Sequence, residues 1–183
     1  FRVMSYNVEN LFDCEDDPVK DDQSFLPDGI LRWTKGRYYQ KLQQIAKVIT
    51  AAGEWHTPAL VGLCEVENDS TIIHLLNKTP LRQQDYRYCM TNSQDNRGID
   101  VALLYQRDQF AYIEHQSIQI KFRKHPDKRS RDILRVSGKI LSGDTLDVFV
   151  CHFPSRSGGE KATEADRMDA ARMLRNACDS LLL

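Results

Sequence analysis

Two short apolar runs near the start of the chain, FRVMSYNV at residues 1–8 and PALVGLCEV at 58–66, carry β-branched residues and end in polar ones. That pattern predicts two buried strands whose carboxyl ends are polar. Between them Tyr38, Leu42, Ile45, Ile49 and Ala52 recur at helical spacing from a start near Thr34, and Gly53 supplies a stop, so an amphipathic helix is expected over residues 35–52. The opening unit reads strand, helix, strand. The intervening segment 9–33 is long, acidic and broken by Pro18, Pro27 and Gly29. Loops of that length inside compact domains are usually functional or mobile, and this one is expected to border the site.

A short helix is expected around 70–78, followed by runs at 86–90, 99–105, 111–121, 132–141 and 145–151 that alternate or are rich in Val, Ile, Leu, Phe and Tyr. Turn signals such as Asp95-Asn96 and Ser142-Gly143-Asp144 separate them, which predicts a mostly antiparallel sheet. The last segment starts at Thr163, with Asp166 three residues on as in a capping box, and places Met168, Ala171, Leu174, Cys178 and Leu181 on one helical face. No repeat or linker divides the chain, so residues 1–183 read as one domain.

Composition removes several classes. With 25 basic and 26 acidic side chains the 183-residue chain has a net charge of -1, which excludes a polybasic DNA-coating protein. Its mean hydropathy is -0.52, and no apolar run approaches the roughly 18 residues of a membrane span. Cys14, Cys64, Cys89, Cys151 and Cys178 are scattered without CxxC spacing, so neither a disulfide framework nor a zinc ribbon is indicated. The chain begins at Phe1 rather than Met. We read this as processing, with a lean towards an exported bacterial protein, although free cysteines fit a reducing compartment equally well.

Asn7 closes the first strand and Glu65 the second. In α/β arrangements the carboxyl ends of neighbouring strands open into a shared crevice. A carboxylate beside an amide oxygen is an oxygen-only set suited to Mg2+, which commonly takes one or two protein carboxylates and leaves the rest of its shell to water and phosphate. Either residue alone is equally an ordinary polar strand end. His152 follows the apolar run LDVFV and Cys151 and precedes a glycine-containing loop. Histidine there can donate to a phosphate oxygen or exchange a proton near neutral pH, or simply be a satisfied half-buried residue. Lys121, Arg123, Lys124, Lys128, Arg129 and Arg131 fall in one stretch with Asp127 as its only acid, which could steer and clamp an anion or form a solvated hairpin tip. Arg131 stands apart, because it immediately precedes the strand run DILRVSGKI and can aim back at the sheet edge. P-loop, dinucleotide-binding, HExxH, EF-hand and nucleophile-elbow patterns are all missing.

Taken together, SYNVEN at 5–10, LCEVEN at 63–68, RGIDVALLY at 97–105, SRDILRVSGK at 130–139 and CHFPSRSGG at 151–159 resemble, in order and spacing, the endonuclease/exonuclease/phosphatase superfamily, the DNase I-like fold. The WT-x-x-RY-x-x-KL stretch at 33–42 is similar to the bacterial branch. The resemblance implies a four-layer α/β/β/α sandwich and a Mg2+-dependent hydrolase of phosphoester bonds, with Mn2+ as the alternative metal. It implies a metal site at Glu65 and Asn7, catalytic roles for Asn7, Arg131 and His152, and a substrate phosphate held by Arg131, His152 and Arg156. Asp100 is a second-tier catalytic candidate, whose other reading is a carboxylate that orients a neighbour.

Family members continue past the helix matching 163–182 into segments carrying a water-orienting aspartate, its asparagine partner and an Asp-His pair, and none of these occurs here. The chain is therefore expected to be the first half of the sandwich, with its second sheet absent and supplied by a missing C-terminal part or a complementing chain. The substrate stays open among nucleic acid, phosphoinositide, sugar phosphate and sphingomyelin. A catalytically silent phospho-ligand-binding module, or an inactive fragment of the same fold, is the other reading.

Overall fold

The computed structural model describes residues 1–182. Strand β1 (Val3–Leu11) is followed by helix α1 (Lys35–Ala52) and strand β2 (Leu60–Val66), the unit expected from the pattern. Thr34 caps α1 by accepting the Arg37 N–H, and Gly53 ends it. Helix α2 (Asp69–Asn77) is capped by Asn68 in the same way. Strands β3 (Tyr86–Met90) and β4 (Asp100–Gln106) complete a four-stranded sheet of order β1-β2-β4-β3, with β1 and β2 parallel and the other pairings antiparallel.

A second, three-stranded antiparallel sheet is present: β5 (Phe110–Ile118), β6 (Ile133–Ile140) and β7 (Thr145–Val150), in order β5-β6-β7. The expectation of a lone sheet is thus corrected. Periodicity identifies strands without saying which sheet each joins, and the chain changes sheets at the short turn between Gln106 and Phe110.

Three apolar layers follow. Tyr38, Leu42, Ile45 and Ile49 of α1 and Ile72 and Leu75 of α2 pack on Val61, Leu63, Ala102 and Leu104 of the first sheet. The opposite face of that sheet, Leu60, Cys64, Val101 and Leu103, meets Phe110, Leu134, Val136 and Val150 of the second. Ile120, Phe122 and Ile133 then cover the far side, beneath Ala170, Met173 and Leu174 of helix α3 (Glu164–Asp179). The order is helix, sheet, sheet, helix, the four layers that bury both faces of two sheets.

Helix α3 does not present the expected face. Met168 is half exposed and Ala171 is exposed, whereas Asp166, Asp169 and Ala170 are buried. Charge selects this face: Asp166 accepts from Lys128 at 2.6 Å and His125 at 2.8 Å, and Asp169 from Arg123 at 2.8 Å. Thr163 does not cap the helix with its side chain. Arg123 and Lys128 of the basic stretch are therefore neutralised by α3. At the other end of the expected α1 face, Ala52 is exposed.

Candidate functional site

Both strand ends that lead to the site are irregular. The β1–β2 register breaks between Asn7 and Leu11, and the β2–β4 register between Cys64 and Val66. Three non-glycine residues at these breaks are left-handed: Glu9 at φ 54°, Asn10 at 58° and Glu65 at 67°. Such conformations cost about 1–3 kcal/mol each and persist where the surroundings over-determine them. Bulges of this kind re-aim a side chain. Here the Glu65 carboxylate receives the Asn7 amide on Oε1 at 2.9 Å and the Asn10 backbone N–H on Oε2 at 2.9 Å.

His152, just after β7, brings its Nε2 to 3.4 Å from Glu65 Oε1, joining the ends of the two sheets. The preceding cysteines make a parallel link, Cys64 Sγ donating to the Cys151 carbonyl at 3.6 Å. Burial pushes these thiols up to about 11 and about 12, so both stay protonated at neutral pH. Burial, followed by the nearby Arg131 charge, lowers the His152 pKa, and the Glu65 carboxylate only partly opposes them. A neutral imidazole at neutral pH follows, with Nδ1 buried and without a protein partner.

Asn7, Glu65 and His152 are thus brought together as the sequence suggested, although Asn7 meets Glu65 through its amide nitrogen and not its oxygen. Its Oδ1 accepts the Glu9 N–H at 2.8 Å while its amide nitrogen faces Glu65, so it orients the carboxylate. Arg131 also differs from expectation. It is 7% exposed and donates to Asp95 at 3.2 Å and to the carbonyls of His152 and Phe153 at 2.9 and 3.0 Å. Through these bonds it braces the His152 backbone from behind, while its buried Nε has no protein partner.

Asp100 accepts from the Thr91 hydroxyl and the Ser93 N–H, and its pKa is raised by burial although these bonds resist. Its work is to hold the loop between β3 and β4, so a direct catalytic role is not seen. Arg156 lies in solvent with a 71% exposed side chain, 3.7 Å from Glu160, and is not joined to the site.

Sequence reasoning missed Asp95, which is 5% exposed and joins Arg131 to the more open Arg97, whose Nε is 3.5 Å from it. It also missed Asn10, which acts through its backbone. The turn signal at Asp95-Asn96 marked the place without the role.

Among the described residues no group of three or more His, Cys, Asp or Glu is arranged to hold a metal. The Glu65 carboxylate still fits Mg2+, because a single partly exposed carboxylate is enough when water and substrate oxygens complete the shell. No helix among the described residues is long and apolar enough to cross a membrane.

Comparison with curated proteins gives no match. Among solved structures the chain is similar to the human nocturnin catalytic domain with bound sulfate, at 18% identity and TM-score 0.61, covering 97% of this chain and 59% of that one. A mannosyl-6-phosphatase from Bacteroides thetaiotaomicron gives 16% identity, TM-score 0.61 and coverage of 98% and 59%. D. rerio TDP2 complexed with a single-strand DNA product gives 16% identity, TM-score 0.51 and coverage of 76% and 48%. The likeness shows a shared fold, and the chain spans less than two thirds of each relative. The model of the endonuclease/exonuclease/phosphatase family matches residues 2–183, and the chain belongs to that family.

Proposed function

We propose that the protein containing this chain hydrolyses phosphoester bonds with Mg2+ or Mn2+ held at Glu65. The observation that supports this most is the meeting of Glu65 and His152 at 3.4 Å across two sheets, at backbone positions strained to put the carboxylate there. A bound divalent cation would polarise a phosphoryl oxygen and stabilise charge on the leaving oxygen. Asn7 and the Asn10 N–H fix the orientation of Glu65. The lowered pKa of His152 keeps its imidazole neutral, and Nε2, which lies beside Glu65, would be the ring nitrogen offered to a phosphate oxygen held there. Arg131 holds the His152 and Phe153 carbonyls, which sets the ring's position.

A small phosphoester is favoured over a nucleic acid. Arg123, His125 and Lys128 are paired with the α3 acids, which removes part of the basic stretch from contact with a polyanion. In the full-length protein, Glu65→Ala and His152→Ala should each lower turnover about 100-fold or more while leaving the fold intact. Near-normal rates would overturn the assignments. A shallow dependence of turnover on salt is expected for a small phosphoester, whereas a steep loss would identify a nucleic acid. If the unaltered protein binds a phosphorylated ligand without hydrolysing it, the binding-module reading replaces this one.

A further inference from the structure

Lys41 projects from α1 towards the irregular end of β1. Its Nζ donates to the Glu9 carbonyl and, at 3.4 Å, to the Asn10 carbonyl. The Glu9 carbonyl and the Asn10 N–H belong to one peptide unit. That unit is planar, and in its trans form the carbonyl and the N–H point in opposite directions. One end of this peptide is held by Lys41 and the other donates to Glu65 Oε2 at 2.9 Å. Fixing the carbonyl therefore fixes the direction of the N–H.

The flanking geometry makes that restraint necessary. Glu9 and Asn10 are consecutive non-glycine residues at φ 54° and 58°, a conformation that relaxes unless something holds it. The Glu9 N–H is tied to Asn7, whose amide also donates to Glu65. Lys41 is itself anchored: its ammonium lies 5.6 Å from the Trp33 ring centroid, and the Trp33 indole N–H donates to the Phe12 carbonyl at 2.9 Å. Helix α1 thus reaches across to the peptide that aims the carboxylate. Polarisation through the shared peptide also strengthens its N–H as a donor.

We propose that Lys41 is a positioning residue for the Glu65 carboxylate, acting through the Glu9–Asn10 peptide. The inference rests on the reading of Glu65 as the divalent-cation ligand. It is distinguishable from a simple charge effect by sign. A nearby ammonium acting only as a charge repels a cation, so its removal would tighten metal binding. Removal of a positioning group loosens it, typically by about 10–100-fold for partners of a metal ligand.

The experiment uses the full-length protein, Mn2+ titrated by electron paramagnetic resonance, and the Asn10 amide proton followed by NMR. Lys41→Met should weaken Mn2+ binding about 10–100-fold and move the Asn10 amide upfield as its bond to Glu65 loosens. Lys41→Arg, which can still donate to both carbonyls, should recover most of both signals. Lys41→Gln, too short to reach both, should follow Lys41→Met and serves if the latter does not fold. Equal or tighter Mn2+ binding in Lys41→Met with an unmoved Asn10 amide overturns the proposal. Glu65→Gln separates the two claims: if it titrates like the unaltered protein, the metal assignment fails, and the Asn10 amide in Lys41→Met still decides whether Lys41 holds the peptide.

Discussion

Replacing Arg131 by Met separates the brace described above from a phosphate clamp. The guanidinium is 7% exposed and makes one bond to Asp95 and two to the carbonyls of His152 and Phe153. Met fills similar length without donors, so Asp95 loses its buried cation and two carbonyls lose their partners. Breaking a buried pair by removing one member costs about 3–5 kcal/mol. The lower end is expected here, because Asp95 keeps the Arg97 N–H at 3.0 Å and the half-exposed Arg97 side chain at 3.5 Å. Urea unfolding of the full-length protein measures the loss, and a double-mutant cycle with Asp95→Asn should return a coupling of about 0.5–3 kcal/mol. A stability change within about 0.5 kcal/mol, together with a collapse of turnover, would refute the brace and restore Arg131 to the phosphate.

The other expectations concern pH and packing. Burial, reinforced by Asp13, Asp22 and Asp17 against the opposing Asp13 N–H bond, raises the Glu67 pKa from 4.5 to about 8. The folded chain therefore keeps a proton that the unfolded chain releases: its contribution to stability is full below 4.5, declines as pH rises, and is lost above about 8. Glu67→Gln should remove that decline, so its stability advantage over the unaltered protein grows between about pH 5 and about pH 9 at about 1.4 kcal/mol per pKa unit at most. Parallel unfolding curves at the two pH values would contradict it. At Gly138 an added Cβ would lie 2.3 Å from Phe110 Cζ, so Gly138→Ala should cost about 1–3 kcal/mol in urea unfolding. An unchanged midpoint would show that the Phe110 ring moves aside freely.

How much was legible depends on whether local chemistry or tertiary context fixed each feature. Helix α1 was readable over its full length because Thr34 and Gly53 mark its ends and one apolar stripe runs between them. Strands β1 and β2 were readable as apolar runs, and so were Asn7, Glu65 and His152 at the strand ends. The second sheet was not, since β5 reads as a strand whichever sheet receives it. Helix α3 was turned by the pairing of Asp166 and Asp169 with Arg123, His125 and Lys128, partners some 40 residues away in sequence. The left-handed residues Glu9, Asn10 and Glu65 carry no glycine to announce them, so the bulges that aim the carboxylate were invisible. Arg131 had the right residue type and place, but its burial behind His152 depends on Asp95, from another loop.

The most direct measurement is anomalous diffraction from crystals of the full-length protein soaked in Mn2+. The account predicts a peak bonded to the Glu65 carboxylate on the side facing His152, lost in Glu65→Gln crystals. A peak that survives Glu65→Gln, or one on the acidic loop near Asp13 and Glu67 with none at Glu65, would contradict it.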